Sequence, residues 1–189
     1  MGNADRMPPI PESEWTQAQK KTAQELIAGP RGAVFGPFVP LLRSPEFLSR
    51  MQHMGEYLRF GSVLPKSLSE FVILLVSRQW NQGFEWHIHH KIAMDVGVAR
   101  DKVEAIAAGR RPVGMSEAEE AVYEFLREIA AHKSVCDATY ARVLALHGEQ
   151  GVIDLTCLSG YYAMLAMVMN VTRTPVPTGD SVPLQPLPG

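Results

Sequence analysis

The residues best suited to acid–base chemistry lie in one segment, EFVILLVSRQWNQGFEWHIHHKIAMDVGV, from Glu70 to Val98. Glu85 and His89 are four residues apart, so on a helix they lie on one face, one turn from each other. Glu70 lies at the edge of the apolar run FVILLV, where a carboxylate either finds a partner or has a shifted pKa. Three such groups could form an acid–base site, although a structural ion pair or a hydrogen-bonded buried histidine would produce the same pattern.

The sequence HIHH could also indicate a metal site, because imidazole is a common zinc ligand. On a helix, however, only His87 and His90, or Glu85 and His89, share a face. Two ligands are fewer than a zinc site requires, so we expect no metal.

The two cysteines, Cys136 and Cys157, lie in different segments and in no CxxC arrangement. This pattern does not favour a disulfide framework, a dithiol redox centre or a thiolate zinc site. We expect two single buried thiols.

Three further residues are candidates for binding a substrate. Arg59 could hold a carboxylate, although an exposed arginine at a helix end or a salt bridge would explain it equally well. Tyr161, next to Tyr162 in the last apolar segment, could supply a hydroxyl. Trp86 is the third candidate, although packing also explains a tryptophan there.

Composition limits the function classes. The chain has 189 residues, 46% of them hydrophobic and 20% charged, as expected of one globular domain with a core. A net charge of −2 and a pI near 6.3 give no electrostatic reason to expect nucleic acid or an anionic membrane as partner. The sequence shows no secretion signal and no membrane-spanning apolar run, so we expect a cytoplasmic protein with a small-molecule substrate.

Helical spacing of apolar residues and helix start signals predict an all-α, single-domain helical bundle. We divide the chain into an N-terminal arm (1–12), a helical domain (13–171) and a proline-rich tail (172–189). The first helix should begin near Ser13, and the loop GPRGAVFGPFVP should lie against a core, a groove or a neighbouring subunit. Other helices should start at Ser44-Pro45, after Pro65, after Gly83, at a Ser116–Glu119 capping box, at Asp137 as a cap, and after Gly151. In the helix after Ser44, the predicted core face is Phe47, Leu48, Met51, Met54 and Leu58.

Several motifs of this sequence resemble those of the carboxymuconolactone decarboxylase-like family, which includes the alkyl hydroperoxidase D-like proteins. The motif LP…E…EWxxHxxIAxxxG is matched here by Leu64-Pro65, Glu70, Glu85-Trp86, His89, Ile92-Ala93 and Gly97. The resemblance continues upstream through RG…GPF, SPE and YLRF, and downstream through residues 148–162.

The resemblance implies a helical subunit of the alkyl hydroperoxidase D-like type that assembles into homotrimers or hexamers. It also implies a cofactor-free decarboxylase, a carbon–carbon lyase of aromatic compound catabolism acting on a small lactone or organic acid. We assign His89 as the proton donor, Glu85 and Glu70 as tuning or relay groups, and Arg59 as a carboxylate anchor.

The peroxidase branch of this family has a CxxC pair before the histidine. Those cysteine positions correspond to Gln82 and Glu85 here, so the dithiol chemistry of that branch is not expected. Two alternatives are a peroxidase-family relative without the dithiol and a non-catalytic helical oligomer that binds a small ligand.

Overall fold

The computed structural model describes residues 4–177 and Leu184. Over these residues the chain forms eight α-helices and one short 3-10 helix, and no strand, which confirms the all-α prediction. The helices are α1 (Gln17–Ala28), α2 (Phe38–Leu41), α3 (Pro45–Phe60), α4 (Lys66–Gln79), α5 (Gly83–Asp95), α6 (Arg100–Ala107), α7 (Glu117–His132) and α8 (Asp137–Thr172).

Helix α4 lies at the centre of the bundle, because its sequence is apolar on nearly all sides. It packs against α5, α6, α7 and α8. A tight turn joins it to α5, and Gln82 in this turn accepts a hydrogen bond from the Phe84 backbone N–H at 2.6 Å. The Gln82 amide also donates to Asn170 at 2.8 Å, which ties the turn to α8. This arrangement brings α4 and α5 side by side with their polar groups facing each other.

Helix α8 is interrupted at Gly148, whose φ of 68° lies in the left-handed region that favours glycine. By length and composition α8 is apolar enough to cross a membrane, and 56% of its most apolar window is buried inside the chain. A core helix of a folded bundle has the same properties.

The helix starts agree with the sequence in part. The capping box between Ser116 and Glu119 is present, as predicted. Helix α3 begins at Pro45, but the Ser44 side chain makes no capping hydrogen bond. Asp137 is the first residue of α8 and Cys136 holds the cap position, so Asp137 was wrongly predicted as the cap.

Helix α1 begins four residues later than the predicted Ser13, at Gln17. Thr16 and Gln19 form a capping box there, and residues Glu12–Glu14 form the 3-10 helix instead.

The buried face of α3 differs from the predicted one. Phe47 and Met54 are each 44% exposed, whereas Leu48, Met51 and Leu58 are buried as expected. The actual core stripe also includes Gln52 and Gly55, which extend the i, i+3, i+4, i+7 spacing from Leu48. Phe47 and Met54 each lie one position outside this stripe.

Both cysteines are exposed in the chain, so the prediction of buried thiols was wrong. Cys136 lies in the turn before α8, where its backbone N–H donates to Glu128 at 2.7 Å. Cys157 lies on the outward side of α8.

The described part of the N-terminal arm docks on the body of its own chain. The Arg6 backbone N–H donates to the Thr172 carbonyl at 2.8 Å, and Arg43 donates to the Pro8 carbonyl at 2.7 Å. The predicted proline-rich tail lies largely outside the described residues.

Candidate functional site

A histidine and a carboxylate from neighbouring helices form a buried hydrogen bond at the centre of the bundle. His89 on α5 lies 2.7 Å from Glu70 on α4, between Nδ1 and Oε2, and both side chains are less than a tenth exposed. With Glu70 as a carboxylate, Nδ1 carries the proton that it donates. The lone pair of the neutral imidazole is then on Nε2, for which no partner is present among the described residues. Glu70, rather than Glu85, therefore orients the ring.

Glu85 lies one turn before His89 on the same helix and is only 3% exposed. Neither of its carboxyl oxygens has a hydrogen-bond partner of ordinary geometry within the described residues. The Ser77 hydroxyl donates to the Ile73 carbonyl at 2.7 Å. A carboxyl group without partners in apolar surroundings is costly to ionise.

Two arginines bring positive charge to the same place. Arg59, near the end of α3, approaches Glu70 at 4.0 Å. Arg31, in the loop after α1, donates a hydrogen bond to the Tyr161 hydroxyl at 3.3 Å and lies over the Phe38 ring, 4.7 Å from its centroid. Each has a buried Nε without an acceptor among the described residues.

These groups line one cavity of about 40 Å³. Its polar wall consists of Glu85, His89, Arg31 and Arg59. The remaining lining residues are Phe35, Pro37, Phe38, Phe84, Ile88, Tyr162 and Leu165. A predominantly apolar lining with a few convergent polar groups is typical of small-molecule sites, whereas the volume is well below the roughly 300–1,000 Å³ that such sites usually have.

The loop between α1 and α2 covers this cavity, as the prediction that it lies against a core or groove implies. Its Phe35 ring packs edge-on against Phe38 at 5.9 Å between centroids and is 37% exposed, so it forms the outer part of the wall. Gly36 has a φ of 55°, and a Cβ at this position would overlap the Phe84 ring. Glycine therefore allows the loop to approach α5 closely.

Burial determines the protonation of the two central groups. It raises the pKa of Glu85 well above its ordinary value, and the Ser77 hydroxyl lowers that pKa by less. Burial lowers the pKa of His89, Glu70 acts in the opposite direction, and the charges of Arg59 and Arg31 lower it further. Burial therefore favours the protonated carboxyl group of Glu85 and the neutral imidazole of His89 in this cavity.

His89 was predicted to donate a proton, and Glu85 and Glu70 to tune or relay. The lowered pKa of His89 favours a neutral ring with a lone pair on Nε2, whereas the raised pKa of Glu85 favours a proton on its carboxyl group. Glu70 accepts the hydrogen bond from His89. The catalytic roles of the three residues stay predictions.

The three predicted substrate-binding residues differ in their position relative to the cavity. Arg59 lines the cavity. Trp86 is 3% exposed and packs parallel to the His90 ring, outside the cavity lining. Tyr161 does not line the cavity, but it contacts two residues that do: it accepts a hydrogen bond from Arg31 and packs edge-on against Tyr162.

Tyr162 and Arg31 were missed as site residues. The edge of Tyr162 meets the His89 ring at 5.2 Å between centroids, and burial raises the pKa of this tyrosine. The sequence shows two adjacent tyrosines, but it does not show which of the two lines the cavity. Arg31 was visible only as part of the RG…GPF stretch.

Among the described residues, no three His, Cys, Asp or Glu side chains are grouped so that they could hold a metal ion. His87 and His90 do not converge with further ligands, and His90 Nδ1 donates to the Trp86 carbonyl at 2.9 Å. The thiols of Cys136 and Cys157 do not line the cavity. Gln82, at one cysteine position of the peroxidase branch, stabilises the α4–α5 turn.

Comparisons with known proteins agree with this architecture. Residues 45–128 match the model of the Carboxymuconolactone decarboxylase family. A crystal structure from Agrobacterium tumefaciens, of a protein of unknown function proposed to be the antioxidant defence protein AhpD, is similar with a TM-score of 0.66 and 16% identity. The similarity covers 74% of this chain and 96% of that one, so the predicted fold type is confirmed. A search of curated proteins finds no match.

Proposed function

From the match of residues 45–128 to the model of the Carboxymuconolactone decarboxylase family, we propose that the protein is an acid–base enzyme of the decarboxylase type. Its substrate is a small lactone or organic acid, and the reaction uses no metal or organic cofactor. One observation carries this proposal: Glu85, whose pKa is raised by burial, His89, whose pKa is lowered by burial, and two guanidinium groups line one largely apolar cavity.

The reaction begins with a substrate anion held in the cavity by a guanidinium group. The bond between the carboxylate carbon and its neighbour breaks, and CO2 leaves. The electron pair moves into the conjugated lactone carbonyl and forms an enolate. A guanidinium that contacts the developing enolate oxygen lowers the barrier, whereas one that only holds the departing carboxylate stabilises the ground state.

Glu85 completes the reaction by donating its proton to the carbon of the enolate. Each turnover consumes one proton, which must return to the Glu85 carboxylate from solvent. His89 is the neutral base in the same cavity, and we assign it the transfer of that proton. Glu70 fixes its tautomer and ring orientation through the 2.7 Å hydrogen bond.

The enzyme is further proposed to be a cytoplasmic homotrimer or hexamer of aromatic compound catabolism. Apolar side chains that remain outside the core support assembly, because exposed apolar patches commonly mark protein interfaces. On α3 these include Phe47, Met54 and Phe60, between 44% and 53% exposed.

The peroxidase alternative requires a thiol at the reacting centre. Cys136 and Cys157 are exposed and outside the cavity lining, which favours acid–base chemistry over thiol chemistry at this site. The non-catalytic alternative predicts ligand binding without turnover, and the experiment below separates it from the enzyme.

The experiment is a measurement of CO2 release from carboxymuconolactone and related lactone acids by the wild-type protein and by His89→Ala. Loss of a group that transfers protons should slow turnover on the order of 10²- to 10⁴-fold. His53→Ala is the matched control, because that histidine has a side chain 65% exposed on α3. CO2 release unaffected by His89→Ala would refute the assigned role, and no release from any lactone acid would refute the decarboxylase proposal.

A further inference from the structure

Arg31 differs from Arg59 in one respect that bears on ligand binding. Arg59 already approaches the Glu70 carboxylate at 4.0 Å. Arg31 makes no ion pair with any described carboxylate, and its hydrogen bond goes to the neutral Tyr161 hydroxyl at 3.3 Å. The cavity therefore contains one guanidinium whose charge is already matched and one whose charge is not.

The surroundings of Arg31 leave it ready to receive an anion. One face of its guanidinium lies over the Phe38 ring at 4.7 Å, which fixes the plane of the group. Its Nε is buried and has no acceptor among the described residues. A buried N–H without a partner is costly, and an incoming carboxylate would satisfy it while matching the charge.

We propose that the Arg31 guanidinium binds the substrate carboxylate, and that Arg59, engaged by Glu70, does not. We call this carboxylate-binding position at Arg31 the seat. This assignment rests on the acid–base function proposed above. It specifies the ligand as a small organic acid with its carboxylate at Arg31 and an apolar body against Phe35, Phe84 and Leu165. The cavity of about 40 Å³ is small, so a larger body must displace the exposed Phe35 ring.

Tyr161 and Gly55 act as positioning residues for this seat. A Cβ at Gly55 would overlap the Tyr161 hydroxyl and come within 2.6 Å of Arg31 Nη2. Glycine on α3 therefore makes room for the hydroxyl that holds the guanidinium from α8. Tyr161, predicted from the sequence to bind substrate, contributes to binding through Arg31.

The test is calorimetric titration of the full chain with acetate and with the neutral isostere acetamide. Arg31→Met keeps an unbranched apolar side chain and removes the guanidinium charge, and it should weaken acetate binding about tenfold or more. Acetamide binding should change little. The control is Arg50→Met, because the Arg50 side chain is 78% exposed and pairs with Glu46 on the surface. Equal acetate affinity in the wild type and Arg31→Met, or no acetate binding by the wild type, would overturn the proposal.

Two further variants keep the proposal falsifiable if Arg31→Met folds poorly. Tyr161→Phe preserves the ring and removes the hydroxyl, so acetate affinity should fall roughly two- to tenfold with the fold intact. Arg59→Met should affect acetate less than Arg31→Met does, and the reverse order would overturn the assignment. Because binding is measured without turnover, an Arg31-dependent acetate site with no CO2 release would refute the decarboxylase proposal and leave the seat in place. If CO2 release requires His89 but acetate binding does not require Arg31, only the seat would be refuted.

Discussion

The protonation of Glu85 predicts a particular dependence of stability on pH. Burial raises the pKa of this carboxyl group in the folded chain, so the folded state binds a proton that the unfolded state releases once pH exceeds about 4.3. Between that value and the raised folded pKa, stability falls as pH rises, and it falls by about 1.4 kcal/mol per pH unit. Glu85→Gln replaces the protonated carboxyl group with a neutral isostere that has no such titration.

The difference in the free energy of unfolding between Glu85→Gln and the wild type should therefore increase with pH. The slope should approach about 1.4 kcal/mol per unit for as long as Glu85 remains protonated in the folded chain. His89 contributes in the opposite direction, because its lowered pKa stabilises the fold above its unfolded pKa and this contribution is lost as pH falls through the folded value. That contribution is common to both proteins and cancels in the difference, since one neutral group replaces another.

The assay is urea unfolding of both proteins at one fixed protein concentration, at roughly pH 5, 6, 7 and 8. Glu104→Gln, at an exposed position on α6, is the matched control and should run parallel to the wild type. Parallel curves for Glu85→Gln and the wild type would show that Glu85 is ionised in the folded chain, and the reasoning about its burial would be refuted.

Three further variants test other parts of the site. Glu70→Ala removes the acceptor of the buried Nδ1 hydrogen bond and should cost about 1.5–3 kcal/mol in urea unfolding; a cost near zero would show that His89 does not depend on it. Gly36→Ala introduces a methyl group against a buried phenyl ring at a positive φ, so thermal unfolding should show a loss of about 1–3 kcal/mol, and a stabilised variant would contradict the close approach of the loop. The double variant Cys136→Ser/Cys157→Ser should release CO2 at the wild-type rate, because neither thiol lines the cavity; lost activity would favour thiol chemistry.

The sequence was sufficient to predict that Glu70 and His89 converge, because both lie on predicted helices joined by a short turn. The identity of the partner carboxylate was not available from spacing. Glu85 shares a helix face with His89, but Glu70 on the adjacent helix makes the hydrogen bond. Which of two carboxyl groups pairs and which stays protonated depends on packing between α4, α5 and α8, and a helical repeat does not contain that information.

Residues outside the helical pattern were the hardest to predict. Arg31 reaches the cavity because a loop with Gly36 folds over it, and the path of a loop depends on contacts distant in sequence. The exposed Phe47 shows the same limitation on a helix, since a shift of one residue moves a side chain by about 100° and out of the core. The cysteines were assigned from the usual burial of free thiols, and neither position follows that tendency.

The central claim is that a protonated Glu85 supplies the proton that completes decarboxylation. The most direct test is the rate of CO2 release from the lactone acid that the wild-type enzyme turns over, measured for Glu85→Gln beside Glu104→Gln. The account predicts a loss on the order of 10²- to 10⁴-fold for Glu85→Gln and an unchanged rate for Glu104→Gln. Release at the wild-type rate by Glu85→Gln would contradict it.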